Sequence, residues 1–226
     1  IMRAGVQDKF SFSMMYYYNE NFMLPLSHDE VVHGKSPMIY KMPGDEWQKF
    51  ANLRLLYAYM FMHPGAKLLF MGNEFAATTE WNYKTELPWN LLQFPSHGGM
   101  KYCVQKLNEL YTSEPALYEN QFDPAGFEWV DLGHRAESVM AFKRKGKNPA
   151  KDILVVINAT PVVRHNWKIN VQGKTSWQEI FNSDAKDFWG TGVVYNPLIP
   201  CVCLDKDNKW YELTLQLPAL SAVVFK

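Results

Sequence analysis

Cysteine is scarce in this 226-residue sequence: Cys103, Cys201 and Cys203 are an odd count with no zinc-ligand spacing. They offer no disulfide framework and fit a reducing cytoplasm. Net charge is absent too, because 23 Lys and Arg balance 23 Asp and Glu. A broad phosphate-binding surface needs a basic excess, so nucleic acid is not an expected partner. Long apolar runs are missing: the longest, 55–62, has eight residues, far short of the ~20 that a membrane span needs. No membrane partner is expected. The opening residues, Ile1 to Asp8, lack the apolar stretch of a secretory signal. There is no internal repeat and no low-complexity tract. What the sequence does have is apolar content, 47%, enough for a sizeable core and too much for disorder. Aromatic residues reach 15%, with eight Trp and twelve Tyr. A large aromatic core is the ordinary reading of that share, and sugar-stacking surfaces the sharper one.

The pattern divides near residue 116. Phe22-Met23-Leu24-Pro25-Leu26 reads as a short buried strand, weakened by its proline, which cannot donate to a ladder. A loop with Gly34, Pro37 and Pro43-Gly44 follows, and Asp45 is a plausible N-cap for a mostly buried helix ended by His63-Pro64-Gly65. Lys67-Leu68-Leu69-Phe70-Met71 is a second apolar strand, of the kind parallel sheets cover on both faces, closed by Gly72-Asn73-Glu74. A second amphipathic helix is predicted over 99–111. Strand–helix–strand–helix is a parallel α/β pattern, but two units cannot close a barrel of about 250 residues. The stretch reads as the end of a larger domain, and the start at Ile1 rather than Met fits a piece of a longer chain. Beyond it, strands are predicted at 127–132, 138–144, 153–158, 167–171, 177–181, 210–217 and 222–225. Alternation such as Trp210-Tyr211-Glu212-Leu213-Thr214-Leu215 points to an antiparallel sandwich.

In parallel α/β folds chemistry collects at the carboxyl ends of strands. Ser27-His28-Asp29-Glu30-Val31-Val32-His33-Gly34-Lys35 occupies one such end and Gly72-Asn73-Glu74-Phe75 the other. A metal site fits the first poorly: on a helix His28 and His33 would point about 140° apart, and the zinc-protease spacing is missed. A carboxylate site fits better. His28 beside Asp29 can hydrogen-bond a polyol and stabilise positive charge on a sugar ring, although a retaining glycosidase needs two carboxyl groups. A cap or a simple ion pair is the plainer alternative.

The run from Leu24-Pro25-Leu26-Ser27-His28-Asp29 to Glu30-Val31-Val32-His33-Gly34-Lys35 closely resembles the seventh-strand motif of glycogen branching enzymes in the α-amylase superfamily. The likeness continues through Met42-Pro43-Gly44-Asp45-Glu46-Trp47, Met71-Gly72-Asn73-Glu74-Phe75, Glu80-Trp81-Asn82, Phe122-Asp123-Pro124-Ala125-Gly126-Phe127 and the closing Leu217-Pro218-Ala219-Leu220-Ser221. The resemblance implies the last two strand–helix units of a (β/α)8 TIM barrel over 1–116, then an antiparallel β-sandwich C-terminal domain over 117–226. It further implies a glycosyltransferase acting on glycogen, amylose or amylopectin in the cytoplasm, without a metal or organic cofactor. His28 would hydrogen-bond the glucose at the cleavage point, and Asp29 would stabilise the oxocarbenium-like transition state. The family's nucleophile Asp and acid Glu stand upstream, in Gly-Phe-Arg-x-Asp and Ala-Glu-Glu-type motifs. Neither motif occurs here, so the chain alone is expected to be inactive.

Other residues carry weaker expectations. Trp47 and Trp81 are candidate sugar platforms, or else core residues. Asn73 and Glu74 are expected to brace the strand end, His33 and Lys35 to bond within their loop, and His63 to be structural. Cys201 and Cys203 should share one strand face and pack, and the charged residues of 143–152 should form a solvated hairpin. A related hydrolase or debranching enzyme is one rival reading, and a non-catalytic glucan-binding module is another.

Overall fold

The computed structural model describes Gly5 and residues 7–226. After a helical turn α1 (Asp8–Ser11), strand β1 (Met23–Leu26) leads into the His-Asp loop, short helix α2 (Met38–Lys41) and helix α3 (Glu46–Met62). Strand β2 (Ala66–Leu69) and helix α4 (Pro95–Ser113) complete this part. β1 and β2 pair in parallel, with Met23 opposite Ala66 and Leu26 opposite Leu69. Among the described residues β1 pairs with β2 alone.

Asp45 caps α3 as expected. Its Oδ1 accepts from the Gln48 N–H at 2.8 Å, and Gln48 Oε1 accepts from the Asp45 N–H at 3.1 Å, a reciprocal capping box. α4 starts four residues earlier than the 99–111 periodicity predicts, at Pro95, a residue preorganised for a first helical turn. The loop before α3 contains the short α2, whose four residues are too few to show a period.

The second part contains β3 (Phe127–Asp131), β4 (Val139–Arg144), β5 (Ile153–Asn158), β6 (Arg164–Gln172), β7 (Ser176–Trp177), β8 (Glu179–Asn182), β9 (Ile199–Pro200), β10 (Val202–Asp205), β11 (Trp210–Leu217) and β12 (Ser221–Phe225). A five-stranded sheet runs β3-β4-β5-β12-β8 and a three-stranded one β10-β11-β6, every pair antiparallel. The strand predicted at 177–181 is two pieces: Trp177 pairs with Ile199 in a small separate sheet, whereas 179–182 joins β12. β9 lies where no strand was predicted, and β10 begins between Cys201 and Cys203, where one strand was expected to carry both; Pro200 and the bulge between Cys203 and Asp205 obscure the pattern.

The five-stranded sheet is buried on both faces. Val139, Ala141, Leu154, Val156 and Val223 pack with Ile169, Val171, Leu213 and Leu215 of the facing sheet. Met140, Phe142, Val155, Ile157 and Val224 point the other way, into one core with Leu53, Tyr57 and Phe61 of α3. Double coverage explains why β5 reads as an unbroken apolar run although its sheet is antiparallel.

Two buried arginines cross between the two parts in opposite directions. Arg54 of α3 donates through Nε to Ser183 O at 2.7 Å and through Nη1 to Phe188 O at 3.1 Å. Arg144 of β4 donates to Met62 O at 2.8 Å, Leu117 O at 3.0 Å and Gly126 O at 3.3 Å. The solvated hairpin expected over 143–152 is therefore corrected at its start: Lys143 and Arg144 are buried, because backbone carbonyls and Glu128 take the place of water. The Cys pair is corrected as well. Cys201 packs on the second core with its thiol pushed up to about 11 by burial, while Cys203 is exposed, because the chain enters β10 between them. Met23 and Leu68 of the parallel pair lie on an open apolar face, since two strands cannot wrap it.

Candidate active-site loop and its relatives

The site grows from the carboxyl ends of β1 and β2. Beyond Leu26 the chain turns into a single 3-10 turn, His28–Glu30, where the Ser27 hydroxyl accepts from the Asp29 N–H at 3.3 Å. This turn leaves both candidate side chains facing water: His28 is 52% and Asp29 69% exposed, with Nε2 and Oδ1 3.5 Å apart. Beyond β2, Phe70 N–H donates to Leu26 O at 2.9 Å, extending the ladder to the edge of the site.

Two rings set the position of His28. Its ring centre lies 5.9 Å from Trp81 and 6.0 Å from Phe70, and Phe70 and Trp81 meet edge to face at 5.3 Å. Trp81 is fixed in turn, because its backbone N–H donates to Val31 O at 2.8 Å. The structure brings His28 beside both Asp29 and Trp81. Trp47 is half-buried in the first turn of α3, and among the described residues no ring contact joins it to His28.

Glu80 locks the rest of the loop. Its Oε1 accepts from the backbone N–H groups of Ser36 at 2.9 Å and Gly34 at 3.0 Å, and its Oε2 lies 3.2 Å from His33 Nδ1. These bonds, chiefly those from Ser36 and Gly34, hold its carboxyl below the usual carboxylate range. His33 was expected to bond within its own loop; its partner is instead Glu80, nearly fifty positions away. No local signal marks that role for Glu80, which sits in the sequence beside Trp81 as one more surface charge. Lys35 makes a backbone turn to Val32 O.

Asn73 braces as expected through its backbone carbonyl, which accepts from the buried Tyr57 hydroxyl at 3.0 Å. Its side-chain Nδ2 is buried with no partner among the described residues, at the wall of a cleft of about 280 Å3 also lined by Met71, Glu80, Trp81 and Tyr83. His63 is structural: Nδ1 donates to Pro64 O at 2.9 Å and Nε2 meets Ser13 Oγ at 3.0 Å. Burial holds its pKa down to about 4. Among the described residues no group of three His, Cys, Asp or Glu could hold a metal ion. Nor is any helix among them long and apolar enough to cross a membrane.

Comparison with known proteins puts this loop in context. Residues 129–226 match the family model described as the α-amylase C-terminal all-β domain. The 1,4-α-glucan branching enzyme of Aquifex aeolicus is 48% identical over 226 residues, covering 100% of this chain and 36% of that protein. The corresponding enzyme of Marinobacter nauticus is 51% identical over 200 residues, 88% of this chain and 32% of its own length.

Over its whole length the chain is similar in sequence to these branching enzymes.

Those branching enzymes are about three times as long as the stretch they share with it. Among solved structures, a debranching enzyme from Nostoc punctiforme superposes with a TM-score of 0.66 at 12% identity, over 100% of this chain and 40% of that one. An α-amylase from H. orenii gives 0.53 at 18% identity, over 99% and 44%. At such identities these likenesses describe the fold alone. The branching-enzyme relationship rests on sequence, and it spans the His-Asp loop as well as the β domain.

Proposed function

We propose that this chain supplies one wall of the active site of a 1,4-α-glucan branching enzyme, with residues 1–116 as the last two strand–helix units of a (β/α)8 barrel and 117–226 as its C-terminal domain. The observation that carries the reading is the loop itself: His28 and Asp29 exposed at a strand end, propped by Trp81 and Phe70, in a chain 48% identical to a named branching enzyme.

The chemistry follows from charge. Cleavage of an α-1,4 bond passes through an oxocarbenium-like transition state, and an ionised Asp29 favours the positive charge that develops on the sugar ring. His28, oriented by its two ring neighbours, donates to a glucose hydroxyl. Trp81, and Trp47 at the rim, offer apolar faces to neighbouring glucosyl units. The nucleophile and the acid belong to upstream strands, where an aspartate would hold the cut chain until a 6-hydroxyl of a second chain accepts it. Glycogen, amylose and amylopectin are the substrates of this reading. Three unpaired thiols fit a cytoplasmic setting.

The test uses two proteins: the 226-residue chain, and a chimera in which it replaces the matching segment of the Aquifex aeolicus enzyme. With amylose, the chimera should lower iodine absorbance without new reducing ends, and the chain alone should change neither. New reducing ends from the chimera would indicate a hydrolase instead. Branching by the chain alone would place nucleophile and acid within it and refute the proposed division of roles.

A further inference from the structure

The loop that carries His28 and Asp29 holds itself only loosely. Its backbone closes three single turns, from Glu30 N–H to Ser27 O at 3.1 Å, Val31 N–H to His28 O at 2.9 Å and Lys35 N–H to Val32 O at 3.0 Å. Its far arm is less settled still, because Gly34 and Ser36 both stand in the left-handed region, with φ of 85° and 65°. Glycine tolerates that conformation, but a serine there needs outside support. The support is one atom: Glu80 Oε1 accepts from the Ser36 N–H at 2.9 Å and from the Gly34 N–H at 3.0 Å. This is a carboxylate seated in a nest of backbone amides. Among the described residues the Glu80 side chain makes no hydrogen bond outside this loop.

The next residue grips the near arm. Trp81 N–H donates to Val31 O at 2.8 Å, Val31 N–H donates on to His28 O, and the Trp81 ring meets that of His28. Glu80 and Trp81 therefore form a two-point clamp, one point on either side of Val32 and His33, and Asp29 lies inside the span that it fixes. We infer that Glu80 is a positioning residue for Asp29, acting through the Gly34 and Ser36 amides rather than on the sugar. The inference rests on the branching reading of the site and deepens it. Without Glu80, Asp29 keeps its charge and loses its place, and a displacement of about 1 Å in a reacting group can cost about a hundredfold in rate.

The test places Glu80→Ala and Glu80→Gln in the chimera and in the 226-residue chain. In the chimera, Glu80→Ala should lower kcat on amylose about tenfold or more and leave KM within about twofold, because alignment with the transition state is lost while the glucan is still held. Glutamine keeps an oxygen for both amides, so Glu80→Gln should hold kcat within about threefold of the unaltered chimera. In the 226-residue chain, hydrogen exchange at Gly34 and Ser36 should quicken about tenfold or more in Glu80→Ala and not in Glu80→Gln, while the amides of α3 exchange as before. Full kcat in Glu80→Ala, a change confined to KM, or a glutamine variant as slow as the alanine one would overturn the inference. Exchange at 34 and 36 that is equally fast with and without Glu80 would overturn it too, whatever the activity. An unaltered chimera that does not branch amylose contradicts the branching reading instead, so the two failures are distinct.

Discussion

Arg144 is the residue on which the join between the two parts depends most. It is fully buried, has no carboxylate partner among the described residues, and donates to three backbone carbonyls, of which Gly126 O also accepts from the Lys145 N–H. Desolvation lowers its pKa to about 10, still well above neutral, so the charge persists. Arg144→Met keeps the apolar stem but removes three charge-assisted bonds, two of them to the carbonyls of Met62 and Leu117, which should cost at least about 3 kcal/mol; a urea midpoint implying less than about 1 kcal/mol would contradict it. His63 gives a second prediction. Its folded pKa is about 4 against about 6.5 unfolded, so between these values the unfolded chain binds the extra proton. Stability should rise with pH across that window and level off above it, by at most about 3 kcal/mol from this group. His63→Gln should flatten the difference between urea midpoints at pH 4.5 and pH 7, and an unchanged difference would assign the slope to other groups. At this scale the sequence announces residues with local grammar, such as the Asp45 cap. It is silent about Arg144, whose acceptors lie up to 82 positions away.

The elements were legible where one face decides their pattern, and less so where two do. α3, α4 and the strands of the large sheet stand close to their predicted places because apolar spacing and turn residues agree. β9 and the extent of β10 were hidden by a proline and a bulge, which break the period without ending the pairing. Adjacent glycines in α4 separate helix propensity from packing. A Cβ on Gly98 would meet nothing nearer than 3.8 Å, so Gly98→Ala should stabilise by about 0.5–1 kcal/mol. A Cβ on Gly99 would fall 2.7 Å from the Phe188 carbonyl carbon and 2.8 Å from the Trp189 nitrogen. Backbone cannot swing aside, so Gly99→Ala should destabilise by about 1–3 kcal/mol despite the same propensity gain. Thermal melts of the two variants should move in opposite directions, and a shared direction would mean that helix propensity alone governs α4.

On the scale of the whole molecule, the parallel pair leaves an apolar face open, with Met23 53% and Met71 54% exposed beside Leu68. Such a face favours association, so sedimentation of the isolated chain should show concentration-dependent oligomers that Leu68→Lys reduces. Monomers at every concentration would argue that this face is content in water. The likeness of the His-Asp loop to a family motif was legible in twelve consecutive residues; its support was not, because Phe70, Trp81 and Glu80 reach it from the segment between β2 and α4. The central claim is that Asp29 carries charge stabilisation in a branching reaction, and the direct measurement is the turnover of the chimera with Asp29→Asn on amylose. The substitution keeps the shape and removes the charge, so turnover should fall at least about a hundredfold, as for loss of one electrostatic contact to a transition state. Folding, read by circular dichroism, should be unchanged, and retention of more than about a tenth of the turnover would contradict the role assigned to Asp29.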